Sequence, residues 1–432
     1  MKPPISKRGR QLLDTPPMAP YIHEHFARSE APWHPVDRPD GYIALCIAEN
    51  SRRTSDFLSR VARYGDVPEA VLGYDMMIGN LEFRQNLAAF LSRSFLGTSV
   101  VAENLAVLAG AGSILEILFY AIADPGDGVL VPTPSYAGFW ADLETRDQLR
   151  ILPIDTASDD DFVLTTAHLD AAVEHADRPI RALLFTNPDN PLGRVASMEQ
   201  LQELRDWAEA KRVHLILDEI YALTVFGDRP FVSGASLPGG LGEFVHIVWA
   251  FSKDFGASGL RCGVLVSGNE EILAALNELG YWAACSGHTQ HLLSRFVSDE
   301  HSVDEYVREM RQDLSETHAA VIEELRSAGI PHIPAEAAFF LLLDMRAFLD
   351  EASFAAEDRL WRKLLEETNV NLTPGSACRI AEPGFFRLCY AGVTLDAVRT
   401  AIARVGRLSS RYWVGPLDGV DDYTSAAFAD DE

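Results

Sequence analysis

Four short segments of this sequence carry residue types able to do chemistry. The first is Ser252-Lys253-Asp254-Phe255-Gly256, with Arg261 eight residues after the lysine. A lysine held among apolar strand ends loses hydration of its ammonium and becomes a nucleophile for carbonyl carbon. Arg261 offers a planar fork suited to a phosphate. The second segment is Asp218-Glu219-Ile220-Tyr221. Its carboxylate can fix a cationic ring nitrogen and its phenol can donate to an anionic oxygen. The third, Thr186-Asn187-Pro188-Asp189-Asn190-Pro191-Leu192-Gly193, holds two Asn-Pro pairs that force a rigid turn and present amide side chains. The fourth, Gly110-Ala111-Gly112-Ser113, is a small-residue turn whose backbone N–H groups suit an anion. Each has an ordinary alternative when taken alone: a solvated lysine, a helix cap at Asp218, a structural turn, and a tight turn with no ligand.

These segments need elements to position them. Apolar runs at 105–109, 128–132, 181–186, 213–217, 246–251 and 262–267 alternate with helical stretches. Several are nearly continuous in Val, Ile and Leu, which predicts strands covered by helices on both faces. The fold class is therefore α/β with a largely parallel sheet, and the four segments fall where such sheets bind ligands. A long helix follows; Ser302 and Glu305 form a capping box at its expected start, and Gly329 marks its end. Beyond it, runs at 339–343 and 386–390 and a helix over 357–367 predict a smaller α+β unit. Residues 1–45 are proline-rich and read as an arm, and the last residues as a frayed acidic tail.

Composition narrows the partners. The 432 residues include 37 Lys and Arg against 63 Asp and Glu, a formal net charge of −26, with 47% hydrophobic residues. The length suggests two or three core-bearing units, and the acidity argues against nucleic acid or an anionic membrane. Cys46, Cys262, Cys285, Cys378 and Cys389 are dispersed without a CxxC pair, as reduced thiols would be. His288 and His291 stand three apart, yet no third metal ligand is evident, so a packing role is expected and no metal. With neither a secretory h-region nor a membrane-length apolar run, the expected location is cytoplasmic.

In combination, the ordered motifs resemble the fold type I pyridoxal-phosphate (PLP) enzymes of the aspartate aminotransferase superfamily, over nearly the whole chain. The resemblance narrows to the 1-aminocyclopropane-1-carboxylate (ACC) synthase branch through Ala48-Glu49-Asn50, Glu82-Phe83-Arg84-Gln85, Asp218-Glu219-Ile220-Tyr221-Ala222, Thr373-Pro374-Gly375-Ser376 and Glu382-Pro383-Gly384-Phe385-Phe386-Arg387. It implies a large domain with a seven-stranded-type sheet, a small α+β domain, and homodimers with shared active sites. The implied limits are 1–60 for the arm and part of the small domain, 61–295 for the PLP domain, 296–412 for the small domain, and 413–432 for the tail. By the same resemblance Lys253 is the Schiff-base lysine, Asp218 pairs with the pyridine nitrogen, and Tyr221 and Asn190 bond the ring hydroxyl oxygen. Tyr136 stacks on the ring and faces substrate. The phosphate goes to Ala111, Gly112, Ser113, Ser252 and Arg261. Arg387 takes the substrate α-carboxylate, and Glu49 matches a substrate-site glutamate.

The family's substrate is S-adenosylmethionine (SAM), whose sulfonium is a good leaving group. The implied reaction runs through an external aldimine and a quinonoid with loss of methylthioadenosine. Two positions depart from the family. Met77, a substrate-site position, replaces a tyrosine that reaches the neighbouring subunit's cofactor, and Met cannot donate a hydrogen bond. Ala250 replaces a phosphate-binding serine, and Tyr74 is displaced by three residues from the missing phenol. These changes favour elimination or substitution at Cγ over ring closure, with joining of the C4 unit to an electron-poor partner such as a pyridinium as one outcome. An aminotransferase and a true ACC synthase remain the alternatives.

Overall fold

The computed structural model describes residues 4–412; the acidic tail expected over 413–432 lies outside the described residues. Its strands are β1 (Ile43–Ala44), β2 (Leu105–Leu108), β3 (Gly128–Thr133), β4 (Arg150–Asp155), β5 (Ile180–Thr186), β6 (His214–Asp218), β7 (Val245–Ala250) and β8 (Gly263–Ser267), followed by β9 (His332–Ile333), β10 (Phe340–Asp344), β11 (Val370–Asn371), β12 (Thr373–Pro374) and β13 (Phe385–Cys389).

A seven-stranded sheet runs in the order β2-β8-β7-β6-β5-β3-β4. β8 is antiparallel to both of its neighbours, and the other pairs are parallel. Every residue of β2, β7 and β8 is buried, because helices cover both faces. Leu183, Leu215, Leu217 and Ile247 fill one face. Leu184, Ile216, Val248 and Leu265 fill the other. β4, which the apolar runs did not announce, is the edge strand opposite β2, and only Ile151 and Ile154 of its residues are buried.

The second unit has a four-stranded antiparallel sheet, β12-β13-β10-β9. β1 pairs in parallel with β11, Ile43 against Val370, so the segment after the arm joins this unit. Cys389 N–H then bonds the Leu45 carbonyl at 2.8 Å, which carries residues 45–50 along β13 toward the large sheet.

The long helix is Glu300–Ser327. Its start corrects the expected capping box: Asp299 is the cap, accepting from Ser302 N–H at 3.1 Å. Ser302 lies inside the helix, and Glu305 instead pairs with Arg60 at 2.9 Å. Gly329, with φ of 66°, ends it as expected. The smaller unit's helix is Phe354–Thr368, longer than the 357–367 expected. All five cysteines are buried and free. Among the described residues no helix is long and apolar enough to cross a membrane.

Candidate active site

Three parallel strands deliver the polar residues at their carboxyl ends. β6 ends on Asp218, β5 on Thr186 just before the Asn-Pro turn, and β7 on Ala250 just before the short helix Phe251–Asp254 that bears Lys253. Asp218 is almost completely buried, and one carboxylate oxygen accepts from Ile220 N–H at 3.3 Å. Burial pushes its carboxyl up to about 7, with the Lys253 charge opposing. An acid in that state is ready to ionise as soon as a cation sits beside it.

Lys253 Nζ donates to the Ala48 carbonyl at 2.6 Å. Burial, and after it the Arg387 charge, lowers the ammonium pKa, which favours the neutral nucleophile. Asn190 is a buried bridge. Its Nδ2 donates to the Tyr221 hydroxyl at 3.2 Å, and its Oδ1 accepts from Arg387 Nη1 at 3.0 Å. Phe339 and Phe340 hold the Tyr221 ring edge-on, at 5.6 and 5.3 Å between centroids.

Arg387 is 2% exposed. Its Nη2 donates to the Cys46 carbonyl at 2.9 Å and the Thr373 hydroxyl at 3.1 Å. Nε is buried without a hydrogen-bond partner. No carboxylate pairs with this guanidinium among the described residues, so its charge is neutralised only when an anion arrives.

The small-residue turn forms the anion side. Gly110, at φ of 93°, precedes the helix Ala111–Ile122. A Cβ there would run into the Arg261 guanidinium, whereas nothing lies within 4 Å of a Cβ on Gly112. Arg261 spans the turn, donating to the Ser258 carbonyl at 3.1 Å and the Ala109 carbonyl at 3.4 Å. Three features thus converge: a helix N-terminus, open space over Gly112, and an arginine with no acid partner among the described residues. Ser252 is buried beside Lys253. The Ser113 hydroxyl turns back to the Ala109 carbonyl at 3.2 Å, leaving its backbone N–H as the group offered to an anion. Ala250 is fully buried.

Other expected residues are less deeply buried. Tyr136 is partly exposed and meets Phe139 edge-on at 5.2 Å, and its phenol feels the charges of Asp142, Arg387 and Asp218. Glu49 is exposed, and its charge acts on Lys253. Met77 lies half-buried, its Cβ 3.1 Å from where a Cβ on Gly280 would stand. Tyr74 is 98% exposed and does not enter the site of its own chain. His288 is exposed, so its expected packing role fails; His291 is half-buried, with Nε2 3.7 Å from Asp66 Oδ1.

Sequence reasoning missed Asn50, Tyr21 and Thr373. Asn50 is 2% exposed, yet both atoms of its amide lack partners. Tyr21 reaches in from the arm, close enough for its phenol to feel the charges of Arg387 and Tyr136. The arm's prolines mask any periodicity that would have flagged Tyr21, whereas Asn50 stood in a motif beside Glu49 and was overlooked.

The aminotransferase class I and II family matches residues 44–405. The chain is 35% identical to 1-aminocyclopropane-1-carboxylate synthase 6 of Arabidopsis thaliana, over 90% of this chain and 83% of that one. It is 36% identical to 1-aminocyclopropane-1-carboxylate synthase 3 of Oryza sativa subsp. japonica, over 90% and 92%. Among solved structures, a Thermus thermophilus aspartate aminotransferase mutant complexed with tryptophan superposes with a TM-score of 0.80 at 23% identity, covering 94% of this chain and all of that one. The aromatic aminotransferase of Pyrococcus horikoshii gives 0.76 at 24% identity, covering 86% and 96%.

Proposed function

This chain belongs to the aminotransferase class I and II family, close to the 1-aminocyclopropane-1-carboxylate synthases, and its cofactor is pyridoxal phosphate; we propose that it acts on S-adenosylmethionine and expels methylthioadenosine. The observation that carries this reading is the Arg387–Asn190–Tyr221 chain, which sets a buried arginine with no acid partner among the described residues in one site with a desolvated lysine.

The residues present fit the cofactor. Its phosphate would lie on the backbone of Ala111, Gly112 and Ser113, with Ser252 and Arg261. Asp218, a buried acid lacking a full counter-charge, suits a ring nitrogen that carries a proton. Tyr221 and Asn190 would donate to the ring hydroxyl oxygen, and Tyr136 would cover the ring face. When bound, the cofactor supplies an electron sink for charge developing at the substrate's Cα.

The remaining work falls to the chain. Arg387, through its unpartnered Nε, would take the α-carboxylate and orient Cα toward Lys253. The Lys253 amine, whose protonated form burial disfavours, would accept the Cα proton. Glu49, exposed and close enough for its charge to act on Lys253, would offer a negative partner to the sulfonium. Methylthioadenosine would then leave from Cγ with the C–S electron pair as a Cβ–H bond breaks, its proton going to a base and its electron pair forming the Cβ–Cγ double bond. Met77 brings no hydroxyl to guide the next step, so the C4 unit would be released or joined to an electron-poor second substrate such as a pyridinium, with ring closure as the competing outcome.

The same reading makes the protein a cytoplasmic homodimer with shared active sites. It divides the chain into an arm with part of the small domain at 1–60, a cofactor domain at 61–295 and a small domain at 296–412. Leu72 at 78%, Tyr74 at 98% and Trp282 at 76% exposure support a subunit contact near Met77. Sedimentation of the holoenzyme as a monomer would contradict it.

Transamination is the second reading, since Lys253, Asp218 and Arg387 serve it equally. Chromatography of holoenzyme with SAM separates the two. Methylthioadenosine without any oxo acid supports the first; turnover that needs an oxo acid and leaves pyridoxamine phosphate supports the second.

A further inference from the structure

A cavity of about 660 Å³ lies between the carboxyl ends of β3 and β5 and the loop before β10. None of the residues placed above at the cofactor or substrate lines it. Phe162, Leu164, Phe185, Leu192 and Ile333 make its apolar wall.

Most of its polar groups are already engaged. Arg194 donates to the Asp161 carbonyl at 2.8 Å and to the Asp161 carboxylate at 2.7 Å. Arg229 donates to the Val195 carbonyl at 2.9 Å and stands 3.7 Å from Glu336. The Thr156 hydroxyl donates to the Thr133 carbonyl at 2.7 Å, and Thr133 donates to Asp155 at 2.9 Å.

Thr186 and Asp189 are the exceptions. Thr186 is 6% exposed and its hydroxyl has no partner. One Asp189 oxygen accepts from Leu192 N–H at 2.9 Å, and the other has no partner among the described residues. Burial pushes that carboxyl up to about 7, against the opposing pull of the Leu192 N–H and the Arg194 charge. A half-buried carboxylate oxygen without a partner and a buried, unpartnered hydroxyl beside apolar walls call for a ligand that donates and carries positive charge.

We propose that this cavity is a second small-molecule site, which binds an apolar organic cation with an N–H donor at Asp189 and Thr186 and its body against Phe162, Leu164, Phe185 and Ile333. Asp189 and Asn190 are consecutive, so this site and the candidate active site share one turn. The inference does not depend on the identity of the substrate.

Isothermal titration calorimetry of the holoenzyme with N,N-dimethylbenzylamine tests it. A tertiary amine cannot condense with the cofactor aldehyde, so any saturable heat reports binding alone. The expected result is one site per chain and no binding of phenylacetate, an anion of similar shape. Asp189→Asn keeps the Leu192 cap but removes the charge, and should weaken binding about tenfold or more. Thr186→Val should weaken it several-fold, and Ile333→Trp, which fills the cavity from its far wall, should abolish it while leaving the cofactor spectrum unchanged. Absence of saturable binding, equal binding of phenylacetate, or an unchanged affinity in Asp189→Asn and Thr186→Val overturns the proposal.

Discussion

Replacing Arg387 by alanine gives the sharpest account of what a single buried side chain does here. The wild-type guanidinium makes three bonds, to Asn190 Oδ1 at 3.0 Å, the Cys46 carbonyl at 2.9 Å and the Thr373 hydroxyl at 3.1 Å. Its remaining donor, Nε, is buried and free. A substrate carboxylate taken at Nε gains a charge-assisted hydrogen bond worth about 1.5–3 kcal/mol. That bond amounts to about 10–10²-fold in kcat/KM for SAM. The cofactor, whose charged groups would lie on Arg261 and Asp218, should lose less than about tenfold in affinity, through Asn190 alone. Steady-state kinetics and cofactor equilibrium dialysis on the same preparation measure both quantities. Arg387→Lys should recover only part of the loss, because an ammonium cannot bond Asn190, Cys46 and Thr373 while also presenting a planar edge. Cofactor and substrate weakening by the same factor would refute the role given to Arg387.

Lys253→Ala should remove covalent retention of the cofactor: borohydride reduction followed by mass spectrometry should find no modified lysine, and an adduct elsewhere would displace Lys253 from its role. Asp254 is fully buried and burial pushes its carboxyl up to about 8, so the folded state holds a proton that the unfolded state releases above its usual carboxylate range. Its contribution to stability is present at low pH and is lost as pH rises toward 8, at about 1 kcal/mol per pH unit. Asp254→Asn should therefore gain on the wild type between pH 6 and pH 8 in calorimetry of the apoprotein; a constant difference in Tm would contradict this. Gly256 has φ of 59°, and a Cβ there would overlap the Asn50 carbonyl. Gly256→Ala should cost about 1–3 kcal/mol in chemical denaturation and displace the 48–50 segment from Lys253, and an unchanged denaturation midpoint would show the approach to be loose.

Much of the site was legible because its residues follow buried strands. Lys253, Asp218 and Asn190 each come within a few residues of an apolar run, where a polar side chain has no packing reason to be. Arg387 was legible only through its motif, since within β13 an arginine looks like an exposed strand position; the structure buries it against Asn190 and Thr373. The rest depended on contacts that no local pattern encodes. The Ala48 and Cys46 carbonyls are backbone groups, brought into place by β1 pairing with β11 more than 300 residues away. β4 escaped because only Ile151 and Ile154 of this edge strand are buried, which leaves no continuous apolar run. The start of the long helix was misread because Asp299 caps as well as Ser302 would and stands three residues earlier, while Glu305 is drawn off by Arg60.

The central claim is that Lys253 and Arg387 bring SAM to loss of methylthioadenosine. Mass spectrometry of holoenzyme products from SAM in heavy water tests it most directly. The account predicts methylthioadenosine in equal amount to a four-carbon product, with deuterium in that product at carbons that exchange protons during turnover. Recovery of intact sulfonium, or of an oxo acid that still carries it, would contradict the account and leave transamination in its place.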